Sequence, residues 1–329
     1  MTNCNVSILM PVKNEESFLD ECIQSIISQT FTNWELIAIN DNSKDKSYEI
    51  LNHYSDKDNR IKIFNNAEYG IISALQMAYS KSKGEYITRM DADDIMEKNK
   101  LQVLYNSLFN TEHCVAVGKV SYFSTDKNLN DGYKKYEKWL NQLTINSNNF
   151  TEIYKECVIP SPCWMMKKND FDKIGSFNSD IYPEDYDLAF RMYINNIKVI
   201  GINKKIHYWR DHPNRASRND INYSNNTFPE IKLKYFLLKD YDVTNVLIVW
   251  GAGKKGKSIA KQLINKSINF EWVTENPKKI GKNIYNKIIR NSRIIFNSKK
   301  NMQIIIAVAS KEFNPFNKND NKNSIYYFC

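Results

Sequence analysis

Three carboxylates, Asp91, Asp93 and Asp94, directly follow a short predicted strand at 86–90, whose apolar residues are Tyr86, Ile87 and Met90. Neighbouring carboxylates repel one another and raise each other's pKa unless a cation lies near them. Hard oxygen ligands suit Mg²⁺ or Mn²⁺, and Mg²⁺ is usually held by one or two carboxylates together with substrate phosphates. The cluster therefore predicts a divalent cation that serves a nucleotide diphosphate. The alternative is a polar turn in which Asp94 caps a helix that runs through Lys100.

Polar side chains also follow the first two apolar runs of the chain. Val6–Val12 and Trp34–Ile39 have the composition of buried strands, and Asn14, Glu15 and Asp41 come shortly after them. The runs alternate with segments of helical periodicity, which predicts a mostly parallel sheet with helices on both faces. Ligands of such sheets bind at the carboxyl ends of the strands. A single polar residue there is explained by a turn or a cap, but three strand ends that close with carboxylates favour a binding site.

Length and composition indicate two globular domains. The chain has 329 residues, of which 42% are hydrophobic and 25% charged, and the domains are predicted at 1–240 and 244–329. No stretch approaches 18 consecutive apolar residues, and the first apolar run is too short and too early for a signal peptide, so a cytoplasmic protein is expected. The six cysteines show no C-x-x-C spacing, which argues against zinc.

Charge is divided unevenly along the chain. From Tyr241 onward there are 16 Lys/Arg against 5 Asp/Glu, a net charge of +11, whereas the first 240 residues carry 30 against 32, a net charge of −2. A basic module could make a peripheral contact with an anionic membrane at its inner face, or the lysines could form a solvated surface. No nucleic-acid motif accompanies the charge, so no nucleic-acid partner is predicted.

The basic C-terminal part carries a glycine-rich turn. The apolar run Val246–Trp250 leads into Gly251, Gly253 and Gly256 at G-x-G-x-x-G spacing, an amphipathic helix follows, and Glu275 closes the next predicted strand. This is a dinucleotide-binding fingerprint in its strand-to-helix setting. The remaining length leaves room for only three strands, which predicts a small, truncated Rossmann-like module. It either binds a nucleotide or anion at the helix N-terminus, or only packs and forms a homodimer.

Four separated motifs resemble those of family-two glycosyltransferases with the GT-A fold. They are Ile8–Glu15, Asn40–Asp45, Gly84–Asp94 and Tyr182–Arg191. The resemblance covers about the first 230 residues and is specific, because all four motifs agree in order and spacing. It implies an α/β GT-A domain, followed in this chain by the small Rossmann-like domain.

The resemblance implies a role for each acidic position. Asp185 corresponds to the family's catalytic base, although carboxylates in a first helical turn also suit the helix dipole, so capping is the alternative. Asp93 would bind the metal ion, Mn²⁺ or Mg²⁺, that bridges the donor phosphates. Asp41 would accept the N3–H of uracil, which favours UDP over GDP, and Asp91 would hold the ribose hydroxyls. The donor site at the first strand end would include Pro11, Asn14 and Glu15.

A later segment, His207–Arg218, is similar to a flap that lies beside the diphosphate in related enzymes. Arg215 and Arg218 would clamp phosphate through bidentate hydrogen bonds. His212 is either an additional metal ligand or a structural histidine.

Between the motifs, the segment 118–149 is rich in Lys, Asn and Tyr and is predicted to be irregular. The resemblance implies that it faces the acceptor, so Tyr136 and Trp139 either stack on sugars or belong to the core. A buried strand is predicted at 160–166, where it would form the floor of the acceptor site.

The function implied is inverting, metal-dependent transfer of a sugar from a UDP-sugar to a glycan or lipid-linked acceptor. Such transfer would serve surface polysaccharide or lipopolysaccharide synthesis. Two alternatives remain open. One is a nicotinamide-dependent oxidoreductase that uses the C-terminal glycine-rich turn, and the other is a catalytically inactive protein that binds nucleotide sugars.

Overall fold

The computed structural model describes residues 5–124, 129, 131–213, 215, 228–296, 300–308 and 323–329. By spatial proximity the chain divides into two compact units. The first comprises Met1–Thr151 and Cys157–Asp220, and the second comprises Glu152–Glu156 and Ile221–Cys329. Within the described ranges, no helix is long and apolar enough to cross a membrane.

One sheet organises the described part of the first unit. Its strands are β1 (Val6–Val12), β2 (Trp34–Asn40), β3 (Ile61–Asn65), β4 (Tyr86–Arg89), β5 (Ile95–Met96), β6 (Cys114–Phe123), β7 (Trp164–Lys167) and β8 (Lys198–Arg210). They lie in the order β3-β2-β1-β4-β7-β6-β8-β5. Strands β1 to β4 pair in parallel, as do β6 and β8, whereas β7 is antiparallel to both β4 and β6 and β5 is antiparallel to β8. The predicted mostly parallel sheet is confirmed.

Helices connect and cover these strands. They are α1 (Leu19–Ile27), α2 (Ser47–Lys57), α3 (Ile71–Lys81), α4 (Lys100–Leu108), α5 (Asp131–Ile145), α6 (Lys168–Lys173) and α7 (Glu184–Ile194), with a 3₁₀ turn at Asn149–Glu152. Helix α1 buries Leu19, Cys22 and Ile26, which fall on one face at helical spacing. Nearly every residue of β1 and β2 is buried, as is typical of parallel strands covered on both faces.

The prediction that the segment 118–149 is irregular is wrong. The segment contains the end of β6 and all of α5. Lysine and asparagine residues interrupt the apolar positions of α5, which hides its helical period in the sequence. Tyr136 and Trp139 of this helix pack against the main hydrophobic core, which confirms the core interpretation of both residues.

The strand predicted at 160–166 begins only at Trp164. Pro160 and Pro162 have no N–H to donate to a sheet ladder, so the chain turns there instead. The turn is closed by a hydrogen bond from the N–H of Cys163 to the carbonyl of Pro160 at 2.9 Å. This turn lies next to the acidic start of α7, since Ser161 Oγ donates a hydrogen bond to Oδ2 of Asp185 at 2.8 Å.

The second unit contains a parallel sheet of five strands, where the sequence predicted three. Its strands and helices are β9 (Val246–Trp250), β10 (Glu271–Thr274), β11 (Asn283–Ile284), β12 (Lys287–Ile288), β13 (Arg290–Asn291), β14 (Met302–Ile306), β15 (Asn323–Tyr327), α8 (Phe228–Lys239), α9 (Lys254–Asn265) and α10 (Arg293–Phe296). The sheet order is β13-β10-β9-β14-β15, and β11 pairs with β12 separately. Strand β13 is too short, and β15 too polar, for either to give a clear periodic signal.

The close approach of α9 to the end of β9 leads to a stability prediction. A Cβ atom at Gly256 would lie 1.9 Å from the carbonyl oxygen of Gly251, and that backbone cannot move away cheaply. We expect Gly256→Ala to lower the free energy of unfolding of the second unit by about 1–3 kcal/mol, as overpacking does. Urea unfolding, followed through the buried Trp250 and Trp272, measures the change.

The matched control is Gly253→Ala. A Cβ at Gly253 meets no heavy atom within 4 Å, so this variant is expected to unfold like the wild type. Equal destabilisation by both substitutions would contradict the close-packing argument.

Candidate active site

The three carboxylates that follow β4 lie in different environments. Asp94 is wholly buried, its Oδ1 accepts the backbone N–H of Arg210 at 2.8 Å, and its Oδ2 lies 2.9 Å from Nε2 of His207. Helix α4 begins at Lys100, after Asn99, so the interpretation of Asp94 as its cap is wrong. Asp94 instead ties the loop after β4 to β8, through partners that are more than a hundred residues away in the sequence.

Asp93 is partly exposed and pairs with an imidazole. Its Oδ2 lies 2.9 Å from Nε2 of His212. Its backbone carbonyl accepts a hydrogen bond from Nε of Arg210 at 2.7 Å. The Arg210 guanidinium is held between two aromatic rings, 4.7 Å from the centre of Phe18 and 4.6 Å from that of Phe123. The main chain at Asp93 is therefore fixed while its carboxylate faces the site.

Arg89 joins the end of β4 to the start of α7. Its Nε donates to Oδ1 of Asp91 at 2.9 Å, and its Nη1 donates to Oε1 of Glu184 at 2.8 Å. Burial alone would lower the pKa of Arg89, but these carboxylates outweigh burial and raise it, so the guanidinium stays charged. Because Glu184 opens α7, this bridge places Asp185 close to the carboxylates that follow β4.

Asp185 accepts two hydrogen bonds. Ser161 Oγ donates to its Oδ2 at 2.8 Å, and the N–H of Tyr186 donates to its Oδ1 at 2.7 Å. Burial raises the pKa of Asp185, while Arg89 and the two donors oppose the rise because they favour the ionised carboxylate. The side chain also lines a small cavity, together with Arg89, Ser161 and Trp164.

Glu15 shows that this edge of the sheet carries excess negative charge. Burial, followed by repulsion from the carboxylates of Asp93, Asp45 and Asp91, raises its pKa to about 8 against the opposing effect of Arg210. Such mutual repulsion is the electrostatic condition under which a cation is bound favourably.

Asn14 and Pro11 shape the first strand end. Asn14 has a left-handed backbone with φ of 57°, which asparagine tolerates. Its Oδ1 accepts the N–H of Lys44 at 2.7 Å, and its own N–H donates to Ser43 Oγ at 3.1 Å. The loops after β1 and β2 are thereby tied together. Pro11 lies within β1, opposite Ile39 of β2.

Asp41 is 3% exposed and already has several donors around it. Its Oδ1 accepts the side-chain amide of Asn66 at 2.8 Å and the N–H of Gly70 at 3.0 Å. Lys13 Nζ lies 3.3 Å from its Oδ2. Asp41 therefore organises the loop after β3, and any contact with a nucleoside base must use its remaining lone pairs.

Arg215 rests on aromatic side chains. Its guanidinium carbon lies 4.6 Å from the ring centre of Trp209 and 5.4 Å from that of Tyr122, and those two rings are themselves stacked. The prediction for Arg218 concerns a residue outside the described ranges.

A divalent cation in a protein needs several ligand atoms that converge on one place. In the described part of the chain, no group of three or more His, Cys, Asp or Glu side chains is arranged to hold a metal ion. Asp93 and His212 do present an oxygen and a nitrogen atom 2.9 Å apart. The Asp93 carboxylate, completed by substrate phosphates and water, fits the open coordination of Mg²⁺ or Mn²⁺, and the His212 nitrogen would be an additional ligand beside it.

The glycine-rich turn of the second unit lies between β9 and α9. Gly251 has φ of +126°, a conformation that favours glycine, and Gly253 directly precedes α9. Gly256 lies in the first turn of this helix. Glu275 is exposed and directly follows β10, the strand beside β9.

A family model described as glycosyl transferase family 2 matches residues 7–175, just over half of the chain. The matched range includes β1, β2 and β4 and the carboxylates that follow them. This chain belongs to glycosyltransferase family 2. It is accordingly a transferase enzyme, with an α/β domain of the GT-A fold.

Three relatives show how much of this glycosyltransferase is shared with other proteins. GlyA of Streptococcus pneumoniae serotype 4 is 30% identical over 220 residues, which are 65% of this chain and 31% of GlyA. GlyG of the same organism is 26% identical over 228 residues, 67% of this chain and 75% of GlyG. An uncharacterised glycosyltransferase of Haemophilus influenzae is 29% identical over 321 residues, 93% of this chain and 97% of that protein. The chain thus spans less than a third of GlyA.

Solved structures show the same fold. TarS of S. aureus, in complex with UDP-GlcNAc, has a TM-score of 0.54 at 16% identity, covering 80% of this chain and 72% of that chain. The mannosyltransferase PcManGT from Pyrobaculum calidifontis, in complex with GDP-Man and Mn²⁺, has a TM-score of 0.51 at 15% identity, covering 71% and 63%. At these identities the likeness concerns the fold alone.

Sequence patterns assign no role to several residues that shape this glycosyltransferase site. They are Arg89, Lys100, Ser161, Glu184 and His207. An arginine two residues before an acidic cluster is a usable signal, because a buried carboxylate needs a cation. The contact between Ser161 and Asp185 leaves no such signal, since it depends on a turn that is visible only in the fold.

Proposed function

We propose that this glycosyltransferase moves a sugar from a UDP-sugar to a hydroxyl group of a glycan or lipid-linked acceptor, with inversion at the anomeric carbon. The observation that carries the proposal is the bridge through Arg89, which bonds to Asp91 at 2.9 Å and to Glu184 at 2.8 Å. This bridge brings Asp185, a candidate base, beside the carboxylates that suit a sugar nucleotide. A donor and an acceptor could therefore meet between β4 and α7.

Asp185 is the proposed general base. The acceptor oxygen bonds to the anomeric carbon as the bond from that carbon to the diphosphate oxygen breaks, and the nucleoside diphosphate leaves with the electron pair. The acceptor proton passes to a carboxylate oxygen of Asp185. Arg89, Ser161 and the N–H of Tyr186 all favour the ionised form of that carboxylate, which is the form that can accept a proton.

Asp93 and His212 are proposed to hold Mn²⁺ or Mg²⁺. When bound, such a cation neutralises charge on the leaving diphosphate. Arg215 is proposed to contact the phosphates, since its guanidinium is positioned by Trp209 and Tyr122. The Mn²⁺ in the PcManGT complex supports a cation of this class.

The remaining donor contacts are proposed for the strand ends. Asp91 would bind the ribose hydroxyls and Asp41 the uracil, with Glu15 and Asn14 at the nucleoside side. TarS binds UDP-GlcNAc whereas PcManGT binds GDP-Man, so the proposal of a uridine donor depends on the contact between Asp41 and uracil.

The uracil contact leads to a binding prediction. We expect Asp41→Ala to weaken UDP binding by about 10-fold to 100-fold, the worth of a hydrogen bond to a charged group. CDP, whose cytosine has no N3–H, should be weakened much less. Calorimetric titration of both nucleotides measures the difference.

Asn66→Ala is the matched control for Asp41→Ala. It removes one of the two partners through which Asp41 orders the loop after β3, Asn66 and Gly70, but leaves the carboxylate in place. If Asn66→Ala reproduced the Asp41→Ala effect on both nucleotides, Asp41 would be a structural residue only.

The biological setting is proposed to be surface polysaccharide or lipopolysaccharide synthesis. The net charge of +11 from Tyr241 onward would allow the second unit to contact an anionic membrane surface peripherally. Two roles are proposed for the glycine-rich turn with Gly251, Gly253 and Gly256. Together with Glu275 it binds a nucleotide or anion, or it serves packing or dimerisation.

Release of UDP tests the proposal directly. The full chain is incubated with a mixture of UDP-sugars and candidate acceptors, with and without Mn²⁺, and free UDP is measured. We expect UDP release that depends on Mn²⁺. An absorbance change with NADH in place of UDP release would favour the oxidoreductase alternative, and tight UDP-sugar binding without any turnover would favour an inactive binding protein.

A further inference from the structure

A buried hydrogen-bonded chain runs beneath the proposed active site. Lys100 Nζ lies 3.3 Å from Nδ1 of His207, and Nε2 of the same ring lies 2.9 Å from Oδ2 of Asp94. All three side chains are wholly buried. A lysine ammonium can only donate, so Nδ1 of His207 must be the acceptor and Nε2–H must donate to Asp94. The imidazole is therefore neutral, and its two ring nitrogens connect the Lys100 ammonium to the Asp94 carboxylate through hydrogen bonds.

The other end of this chain holds the turn before β7. Lys100 Nζ donates to the carbonyl of Pro162 at 2.5 Å. Pro162 lies in the turn closed by the hydrogen bond between Cys163 and Pro160. Ser161, the next residue back in this turn, donates to Oδ2 of Asp185. A buried cation thus fixes the backbone beside the serine that contacts the proposed base.

The carboxylate of Asp185 has few degrees of freedom left. One oxygen accepts the N–H of Tyr186 and the other accepts Ser161 Oγ, so both define its orientation. The charged groups that face it are Arg89 and Asp91 from the end of β4, and Glu184 from its own helix. Among these contacts, the serine hydroxyl is the one that reaches Asp185 from the turn held by Lys100.

We infer that Ser161 is a positioning residue for Asp185 and that Lys100 acts through it, by holding the turn that carries the hydroxyl. This inference rests on the proposed role of Asp185 as general base. The Ser161 hydroxyl aims one carboxylate oxygen and favours its ionised form. The chain from Asp94 through His207 and Lys100 thereby couples the carboxylates after β4 to the orientation of the base.

The test compares pH profiles of sugar transfer for Ser161→Ala and the wild type, at saturating UDP-sugar. The hydroxyl donates to the ionised carboxylate and so lowers its pKa, and removing it should move the acid limb of kcat to higher pH. We expect kcat at neutral pH to fall by roughly 10-fold to 100-fold, as for loss of a hydrogen bond to a charged group or a small misplacement. The KM for the donor should change little.

Ser161→Thr keeps a hydroxyl donor and is expected to keep the wild-type acid limb. Ser107→Ala is the matched control, because it removes a serine hydroxyl that, among the described residues, bonds to the Val103 carbonyl within α4. A folded Ser161→Ala protein with the wild-type acid limb and kcat would overturn the inference, as would a folded Ser161→Thr protein that behaves like Ser161→Ala.

A double-substitution cycle tests the part played by Lys100. If Lys100 acts through Ser161, Lys100→Met combined with Ser161→Ala should lower kcat no further than the more damaging single change. Fully additive losses would overturn this coupling. Because Lys100→Met removes a buried cation and could prevent folding, the Ser161 variants decide the inference on their own.

Asp185→Asn separates failure of the inference from failure of the proposed function. Loss of transfer in Asp185→Asn with an unchanged Ser161→Ala profile would refute the positioning role alone. Full transfer by a folded Asp185→Asn protein would refute the proposed base, and with it the premise of the inference.

Discussion

Asp93→Asn is expected to abolish the dependence of UDP-sugar binding on Mn²⁺ and to lower transfer by more than about 100-fold at fixed Mn²⁺. Loss of a group outside the ligand shell already costs 10-fold to 100-fold in metal affinity, and loss of a ligand charge should exceed that. The fold should survive, because an asparagine amide can still hydrogen-bond to His212, which lies 2.9 Å from the carboxylate it replaces. Titration of UDP with and without Mn²⁺, together with UDP release, measures both effects.

Asp56→Asn is the matched control for Asp93→Asn, since Asp56 is an exposed carboxylate in the last turn of α2 and is not among the proposed donor contacts. It should leave Mn²⁺ dependence unchanged. If Asp93→Asn bound UDP more tightly with Mn²⁺ than without it, as the wild type is expected to do, the assignment of Asp93 as a metal ligand would fail.

The sheet of the first unit is predictable because its signals are local. Val6–Val12 and Trp34–Asn40 are apolar at nearly every position, since parallel strands are buried on both faces. The helices that follow these strands repeat apolar residues at a helical period, as α1 does. In α5 the same period is present but diluted by lysine and asparagine, so a single sequence does not reveal it.

The partners of the acidic residues are not predictable in the same way. Asp91, Asp93 and Asp94 form one cluster in the sequence. In the structure, however, Asp93 pairs with His212 and Asp94 is buried against His207. These partners come from β8 and the segment after it, and sequence spacing carries no information on which carboxylate each one meets. What is predictable is that a buried negative charge must find a cation or a donor, not which residue supplies it.

Asp41 illustrates the same limit at a second strand end. Its place after β2 is evident from the apolar run, and the resemblance implies a contact with uracil. The fold adds donors from Asn66, Gly70 and Lys13, which give the carboxylate a structural task as well. Both roles are compatible with one carboxylate, because it offers about four lone-pair directions.

The two interpretations of Asp185, general base and helix cap, predict different results for Asp185→Asn. The amide should keep both contacts of the carboxylate: its oxygen can accept the N–H of Tyr186, and its NH₂ can donate to Ser161 Oγ once that hydroxyl turns. The amide cannot, however, take the proton from the hydroxyl group of the sugar acceptor. Transfer should therefore fall by roughly 10²–10⁴, the usual contribution of a general base, with donor affinity nearly unchanged. If Asp185 only complements the helix dipole, turnover should persist and stability should fall by at most about 1 kcal/mol.

Asp187→Asn provides the contrasting control, because Asp187 lies two residues after Asp185 in the same helix. Asp187 is buried and accepts a hydrogen bond from Nε of Arg191 at 2.7 Å, while Nη1 of that arginine donates to the carbonyls of Ile174 and Ser176. Its replacement should lower the free energy of unfolding by about 1–3 kcal/mol, because the Arg191 guanidinium loses the negative charge beside it even though the amide oxygen can still accept its Nε–H. The rate of transfer by the folded protein should stay nearly intact. Opposite outcomes for the two carboxylates of one helix would separate chemistry from stability. A folded Asp185→Asn protein that transfers sugar at the wild-type rate would refute the general-base mechanism.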